Sequence, residues 1–289
     1  MMWHVNVSRG VISVTETRTD LGAREAEFLS TLARDDKSIF SVEQAQRFWG
    51  DPSYTANVLA RLEQKGWIYR LERGTYMLVP LEAGPDREWS ESALVIAGHL
   101  IHPAAVACWS ALNYWTLTEQ VPRSVFVQST NRKHQSHKEV LGMTFRFVTV
   151  VEAKFFGRTE RSVGGQSFYV TDREKTLLDA SDRPDLSGGA AQLAQALRAG
   201  WEDLDWDRLD QYLERWPTRS AVKRLGYLVE TLGLPVPDLE DRLARWRRSL
   251  STGIALMEPG QDEDVGPIVT RWRLRVNVPE TWRSRSAGE

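Results

Sequence analysis

Hydrophobic residues recur at helical spacing through residues 20–65 and predict three short helices. The first begins near Gly22 with Asp20 as its cap, and the second covers residues 41–49. The third covers residues 52–65, since a proline suits its first position and a glycine follows its end. Its expected buried stripe is Ala56, Leu59 and Leu62.

An alternating pattern then predicts a β-hairpin, with strands at 67–71 and 75–79 around the turn Glu72-Arg73-Gly74. Helix, helix, tight turn, helix and hairpin is the element order of a winged helix-turn-helix. The charged, Gly- and Pro-containing stretch 81–89 predicts a linker after it.

Beyond the linker, segments with helical spacing of apolar residues and segments with a strand pattern follow one another. The predicted fold class is therefore α+β, with a winged helix-turn-helix followed by a mixed α/β domain. The helices that we expect there cover residues 90–101, 103–115, 172–181, 188–199, 206–215, 218–232 and 238–248. The strands cover residues 124–128, 143–150 and 166–170, and 270–278 is expected to return to the sheet as an edge strand. The domains are therefore an N-terminal arm or strand at 1–19, the winged helix at 20–80, the linker at 81–89, the C-terminal domain at 90–282 and a disordered tail at 283–289.

Composition adds limits rather than a function. The chain has 289 residues, 42% hydrophobic and 26% charged, with a net charge of −2, which argues against a uniformly basic nucleic-acid coat. No apolar stretch reaches the roughly 18 residues of a membrane span. The start of the chain lacks the basic-then-apolar order of a signal peptide, and the single Cys108 excludes an internal disulfide. We therefore expect a cytoplasmic location.

The third helix and the hairpin carry the expected DNA contacts, because in this fold the third helix enters the major groove. Asn bonds adenine and Arg bonds guanine through paired hydrogen bonds, whereas Ser and Tyr suit phosphates. The residues concerned are Ser53, Tyr54, Asn57 and Arg61 on the helix and Arg70 and Arg73 on the hairpin.

The predicted winged helix is nearly neutral, and positive charge is concentrated later in the chain. Residues 20–80 carry eight Lys/Arg against nine Asp/Glu, whereas residues 123–161 carry eight against three. Since phosphate affinity is mostly electrostatic, the basic loop 131–138 is a candidate second contact through Arg132, Lys133 and Lys138. Its alternative interpretation is a solvated rim.

Catalytic and metal chemistry find little support. The pairs His99/His102 and His134/His137 lack the further ligands that zinc needs. Glu152-Ala153-Lys154 after a predicted strand is typical of some Mg²⁺ nucleases, yet no upstream carboxylate pair accompanies it. We therefore expect no catalytic residues, no metal and no cofactor, and a protein that is not an enzyme.

Three segments in this order resemble the AbiEi-type antitoxins, transcriptional regulators of the type IV toxin–antitoxin class. They are residues 66–78 (GWIYRLERGTYML), 114–129 (YWTLTEQVPRSVFVQS) and 168–180 (FYVTDREKTLLDA), and the resemblance covers roughly residues 20–235.

The resemblance implies that the winged helix binds inverted repeats in its own promoter and that the C-terminal domain antagonises a nucleotidyltransferase-type toxin. In several members of the family this happens without a stable antitoxin–toxin complex. It assigns DNA contact to helix 52–65 and wing 70–75, and it marks Lys175 and Asp179 as family hallmarks.

The sequence thus favours a DNA-binding antitoxin that represses its own operon, with double-stranded operator DNA as ligand, a toxin as functional partner and two copies on each palindrome. An antitoxin that works mainly through protein or RNA contacts, with the winged helix as a docking module, is the alternative. A Mg²⁺-dependent nuclease is the third.

Overall fold

A computed structural model of the chain describes residues 20–35, 37–80 and 92–279. The arm 1–19, the linker 81–89 and the tail 283–289 lie outside the described residues. The helices are α1 (Ala23–Arg34), α2 (Val42–Trp49), α3 (Pro52–Gln64), α4 (Ala93–Leu100), α5 (Cys108–Tyr114), α6 (Arg173–Asp182), α7 (Gly189–Gly200), α8 (Trp206–Arg215), α9 (Arg219–Leu232) and α10 (Leu239–Arg248). The strands are β1 (Ile39–Ser41), β2 (Ile68–Glu72), β3 (Thr75–Leu78), β4 (Ala105–Val106), β5 (Ser124–Ser129), β6 (His137–Val140), β7 (Met143–Thr149), β8 (Arg158–Val163), β9 (Gln166–Thr171), β10 (Ala255–Leu256), β11 (Ile268–Val269) and β12 (Leu274–Arg275). The predicted α+β class is confirmed.

Helices α1–α3 and strands β1–β3 form the N-terminal unit, residues 20–80. Its antiparallel sheet has the order β1-β3-β2, so a strand that the pattern did not predict, β1, pairs with the hairpin. The Ser41 hydroxyl accepts the Gln44 N–H at 3.3 Å and caps α2. The Asp51 carboxylate accepts the Tyr54 N–H at 2.6 Å and caps α3, with Pro52 first in the helix.

Two local predictions in this unit are wrong. Asp20 does not cap α1, because the Glu25 carboxylate instead accepts the Gly22 N–H at 3.0 Å at that helix end. Ala56 is exposed, whereas Thr55 and Val58 are buried beside Leu59 and Leu62. The buried face of α3 is therefore rotated from the predicted stripe, because a threonine whose hydroxyl bonds the Asp51 carbonyl at 2.7 Å can be buried without an unpaired polar group.

The C-terminal part is built on a six-stranded mixed sheet with the order β6-β7-β5-β4-β9-β8. β7 runs parallel to β5 and β9 runs parallel to β4, and the other neighbours are antiparallel. Helix α4 and the N-terminal unit share one core with this sheet, and α5–α10 form a larger helical core. Edge strands β6 and β8 are polar, so hydrophobic alternation did not predict them.

The predicted helix 103–115 and the predicted edge strand 270–278 are corrected. Ala105 and Val106 enter the sheet as β4 between β5 and β9, so the helix begins only at Cys108. Around Leu274 the chain forms a separate small sheet with β10 and β11, because Trp272 is fully buried against α9. A Cβ at Gly226 of α9 would lie 2.2 Å from the Trp272 ring, which shows how closely the two segments approach.

The small sheet of the N-terminal unit is covered on both faces. Phe40 and Ile68 pack among α1–α3. Ile39, Leu71 and Met77 belong to the same core as α4 and the large sheet. Since successive side chains of a strand point to opposite faces, the hairpin joins the two cores, and the N-terminal unit is packed against the rest of the chain rather than suspended from a linker.

A buried ion pair lies in the centre of the helical core. The Lys175 ammonium contacts the Asp179 carboxylate one helical turn away, and their side chains are 0% and 5% exposed. The ammonium also lies 4.9 Å from the centre of the Trp216 ring. Burial raises the pKa of Asp179, and the attraction of Lys175 opposes this shift without cancelling it.

We predict that Lys175→Met lowers the free energy of unfolding by about 3–5 kcal/mol, because it leaves a buried carboxylate without its partner. The double variant Lys175→Met/Asp179→Leu should recover most of that loss, because it removes both charges. Urea unfolding followed by circular dichroism measures both. Equal losses in the two variants would contradict an electrostatic cause.

Candidate nucleic-acid interface

The outer face of α3 carries the residues that the sequence predicts for DNA contacts, Asn57 and Arg61 for bases and Ser53 and Tyr54 for phosphates. Ser53, Tyr54, Asn57 and Arg61 are all exposed, and the Tyr54 side chain is 46% accessible. Two small residues, Ala56 and Ala60, are exposed on the same helix. Polar side chains beside alanines leave room for the helix axis to approach a groove closely.

Arg61 is held at the side of this face by α1. Its guanidinium lies 3.4 Å from the Glu25 carboxylate, and the Lys65 ammonium lies 3.2 Å from the same group. Burial acts to raise the pKa of Glu25, but the Gly22 N–H and the two cations outweigh it and lower the pKa. The Arg61 side chain remains 52% exposed, so it is oriented by Glu25 and still accessible.

Arg70 and Arg73 of the hairpin are exposed to solvent. The single acid of the hairpin, Glu72, is bound by two lysines of the C-terminal part. Lys133 contacts the Glu72 carboxylate and the Leu100 carbonyl. Lys138 lies 3.1 Å from the same carboxylate and also donates to the Leu71 carbonyl at 2.5 Å. We call this arrangement the Glu72 clamp, formed by Glu72, Lys133 and Lys138.

The Glu72 clamp changes the electrostatics of the hairpin. Burial acts to raise the pKa of Glu72, but the two ammonium groups and the Arg73 N–H lower it to about 2. The two clamp lysines offset the negative charge of the ionised Glu72 carboxylate. Arg70 and Arg73 are exposed on the same hairpin. The near-neutral N-terminal unit thus acquires positive charge from the C-terminal sheet.

The segment 131–138 is only partly the free basic loop that the sequence predicts. Arg132 is exposed, but Lys133 and Lys138 are 20% and 28% exposed in their side chains and are engaged in the clamp. His137 and Lys138 already belong to β6, which pairs with β7. Both lysines are thus bound to Glu72 in this arrangement, and their contact with DNA stays a prediction.

The residues considered for catalysis or metal binding lie apart from one another or form ion pairs. Glu152 is exposed on a short 3₁₀ turn, and the Lys154 ammonium lies 2.5 Å from the Asp182 carboxylate. His99 is half-buried, and this burial together with His102 lowers its pKa. Among the described residues, no group of three or more His, Cys, Asp or Glu side chains is arranged to hold a metal ion. Burial raises the pKa of the Cys108 thiol.

A comparison with protein families relates part of the N-terminal unit to known proteins. Residues 27–79 match the family of AbiEi antitoxin transcriptional regulators. The match confirms the resemblance found in the sequence over the segment that contains most of α1, together with α2, α3 and the hairpin. The comparison with curated proteins gives no significant match.

A solved structure shares the fold of nearly the whole chain. It is the crystal structure of the RV2827C protein from Mycobacterium tuberculosis, with a TM-score of 0.61 and 18% sequence identity over 91% of this chain and 94% of that one. Both the N-terminal unit and the C-terminal sheet and helices therefore have a precedent in one polypeptide. Within the described ranges, no helix has the length and apolarity needed to cross a bilayer.

Sequence reasoning missed the acid that organises the interface. Glu72 was assigned only to a turn, and its partners lie 61 and 66 residues further along the chain. The available signal was compositional: the hairpin has one acid, and the later basic segment has an excess of lysine and arginine.

We predict that Glu72→Gln lowers the melting temperature at pH 7, since it leaves two ammonium groups facing each other. Because the folded pKa of Glu72 is about 2 and its ordinary value is 4.5, its contribution is present above pH 4.5 and is lost as the pH falls towards 2. The variant should therefore show a weaker dependence of melting temperature on pH in that window.

The matched control is Glu63→Gln, the same change at an exposed position of α3. Calorimetric melts at pH 7, 4.5 and 3 distinguish the two variants. If Glu72→Gln behaved like Glu63→Gln at all three values, the clamp would have no energetic role.

Proposed function

We propose that this protein is a DNA-binding antitoxin that represses its own operon, and that its N-terminal unit acts as a winged helix-turn-helix on inverted repeats. The single observation that carries the proposal is the outer face of α3, where Asn57 and Arg61 stand exposed beside two alanines. The family match of residues 27–79 to transcriptional regulators supports it.

In this proposal α3 lies in the major groove. Asn57 and Arg61, one turn apart, read base edges, and Ser53 and Tyr54 contact phosphates at the start of the helix. The hairpin tip with Arg73 and the neighbouring Arg132 reach the flanking backbone. Lys133 and Lys138 position the hairpin through their contacts with Glu72 and add positive charge next to it.

A palindromic operator takes two copies, because the symmetry of the half-sites has to be matched by the protein. The functional partner is a nucleotidyltransferase-like toxin that the antitoxin counteracts. We also propose that this protein acts by binding rather than by catalysis, which agrees with the engagement of Lys154 by Asp182.

We predict that Ala56→Glu abolishes operator binding without loss of stability, because it places a carboxylate at the surface that faces phosphates and base edges. Ala33→Glu is the matched control, since Ala33 is also an exposed alanine of the same unit but lies on α1. Gel-shift titration with the promoter fragment and a thermal melt measure the two effects. Operator binding by Ala56→Glu at the wild-type affinity would exclude α3 as the recognition helix.

We predict different signatures for the two arginines. Arg61→Ala should cost about 1–3 kcal/mol and relax the preference at one base pair, because it removes a base contact. Arg73→Ala should weaken operator and unrelated duplexes alike and reduce the salt slope by about 1, because it removes a phosphate contact. Fluorescence titrations at two salt concentrations, on the operator and on single-base variants of it, separate these outcomes.

If the protein is instead an antitoxin that uses its N-terminal unit for docking, we expect the reverse result. In that case the promoter fragment would not bind, and the toxin encoded by the adjacent gene would co-purify with the wild-type protein and be lost with Ala56→Glu. That result would overturn the repressor assignment while leaving the antitoxin role intact.

A further inference from the structure

The far edge of the large sheet carries three arginines that are stacked on aromatic rings, and one of them, Arg173, also contacts a carboxylate. The Arg158 guanidinium lies 4.1 Å from the centre of the Phe155 ring and 5.8 Å from that of Tyr169. The guanidinium groups of Arg161 and Arg173 lie 5.4 Å and 4.6 Å from the centre of the Trp115 ring. We call these six residues the arginine–aromatic patch.

Thr171 connects the two arginine–aromatic groups of the patch. Thr171 is the partner of Arg158 across the β8–β9 pair. Its carbonyl accepts the Trp115 indole N–H at 2.7 Å, and Arg173 follows two residues later. Arg158 and Tyr169 lie on one face of the β8–β9 pair and Arg161 lies on the other, since successive side chains alternate, and both groups border the open edge of β8.

Glu160 lies between Arg158 and Arg161 on β8 without an ion pair to either, so the charge of these arginines is only partly offset. Within the described part of the chain, Arg158 and Arg161 make no ion pair, and Arg173 has only a 3.8 Å contact with Asp203, a carboxylate that is 67% exposed. The Nε of Arg173 is buried without a hydrogen-bond partner. Arg173 also stands in the first turn of α6, where the helix dipole disfavours a cation. An anionic ligand would offset the charge of these arginines and the unfavourable position of Arg173 at the start of α6.

The rings make the patch more than a charged surface. The Tyr169 side chain is 45% exposed, and Arg158 and Arg161 are exposed as well. Aromatic faces and guanidinium planes beside a line of positive charge are the means by which proteins hold unpaired bases together with their phosphates. A duplex keeps its bases stacked inside and cannot use them.

We propose that the arginine–aromatic patch binds single-stranded nucleic acid, with phosphates on Arg158, Arg161 and Arg173 and a base on the exposed ring of Tyr169. The site is separate from the α3 interface, since β8 and β6 are opposite edges of a six-stranded sheet and lie about 24 Å apart at ordinary strand spacing. It does not depend on the proposed repressor function.

The test measures fluorescence anisotropy of a labelled 12-nucleotide RNA and of the same sequence as DNA. Arg158→Gln/Arg161→Gln should reduce the slope of log affinity against log salt by about 1.4, because two phosphate contacts of a single strand are lost. The matched control is Arg123→Gln/Arg248→Gln, which removes two exposed arginines elsewhere and should leave the slope unchanged.

A second variant tests the base contact without changing charge. Tyr169→Ala should weaken single-strand binding about tenfold, whereas Tyr169→Phe should bind like the wild type, because stacking needs the ring and not the hydroxyl. Thermal melts verify that each variant is folded. Operator duplex binding should be unaffected by every change in the patch, which separates this proposal from the function proposed for α3.

The wild-type protein giving no saturable binding to either single strand would overturn the proposal. So would equal slopes for the patch variant and its control, or equal affinities of Tyr169→Ala and Tyr169→Phe. A preference for RNA over DNA of the same sequence would identify which strand the patch accepts.

Discussion

The contact between the hairpin and the large sheet fixes the position of everything that the N-terminal unit presents. Ile39, Leu71 and Met77 are buried in the core that α4 and the sheet provide, and each contributes about 1.5–3 kcal/mol by burial. The ion pairs of the Glu72 clamp are partly exposed and are individually worth about 1 kcal/mol or less. Apolar packing therefore supplies the stability, and the directional contacts of the clamp supply the orientation.

That division has an electrostatic consequence. The N-terminal unit by itself carries slightly more acids than bases, which is a poor starting point for phosphate binding. Lys133 and Lys138 neutralise the one acid of the hairpin and leave Arg70, Arg73 and Arg132 exposed on either side of the junction. The exposed polar face of α3 and the positive charge around it are thus supplied by different parts of the chain.

The six-stranded sheet separates two surfaces of different character. At the β6 edge, Lys138 donates to the Leu71 carbonyl and to the Glu72 carboxylate, so this edge is joined to the hairpin. At the β8 edge, arginines lie over Trp115, Phe155 and Tyr169, and within the described ranges the strand has no further neighbour in the sheet. One border thus joins the two parts of the molecule, and the other is available to a ligand.

Local features of the sequence determined most of the N-terminal unit. Ser41 and Asp51 as caps, Pro52 at a helix start and the Glu72-Arg73-Gly74 turn act within a few residues, so the pattern alone predicted α2, α3 and the hairpin, and the exposed polar face of α3. Tertiary contacts decided the rest. β4 interrupts a stretch that reads as helix because two neighbouring strands pair with it, and β6 and β8 are polar because they are edges. Lys133 and Lys138 lie against Glu72 because the fold brings together residues more than sixty positions apart, a pairing that no local pattern encodes.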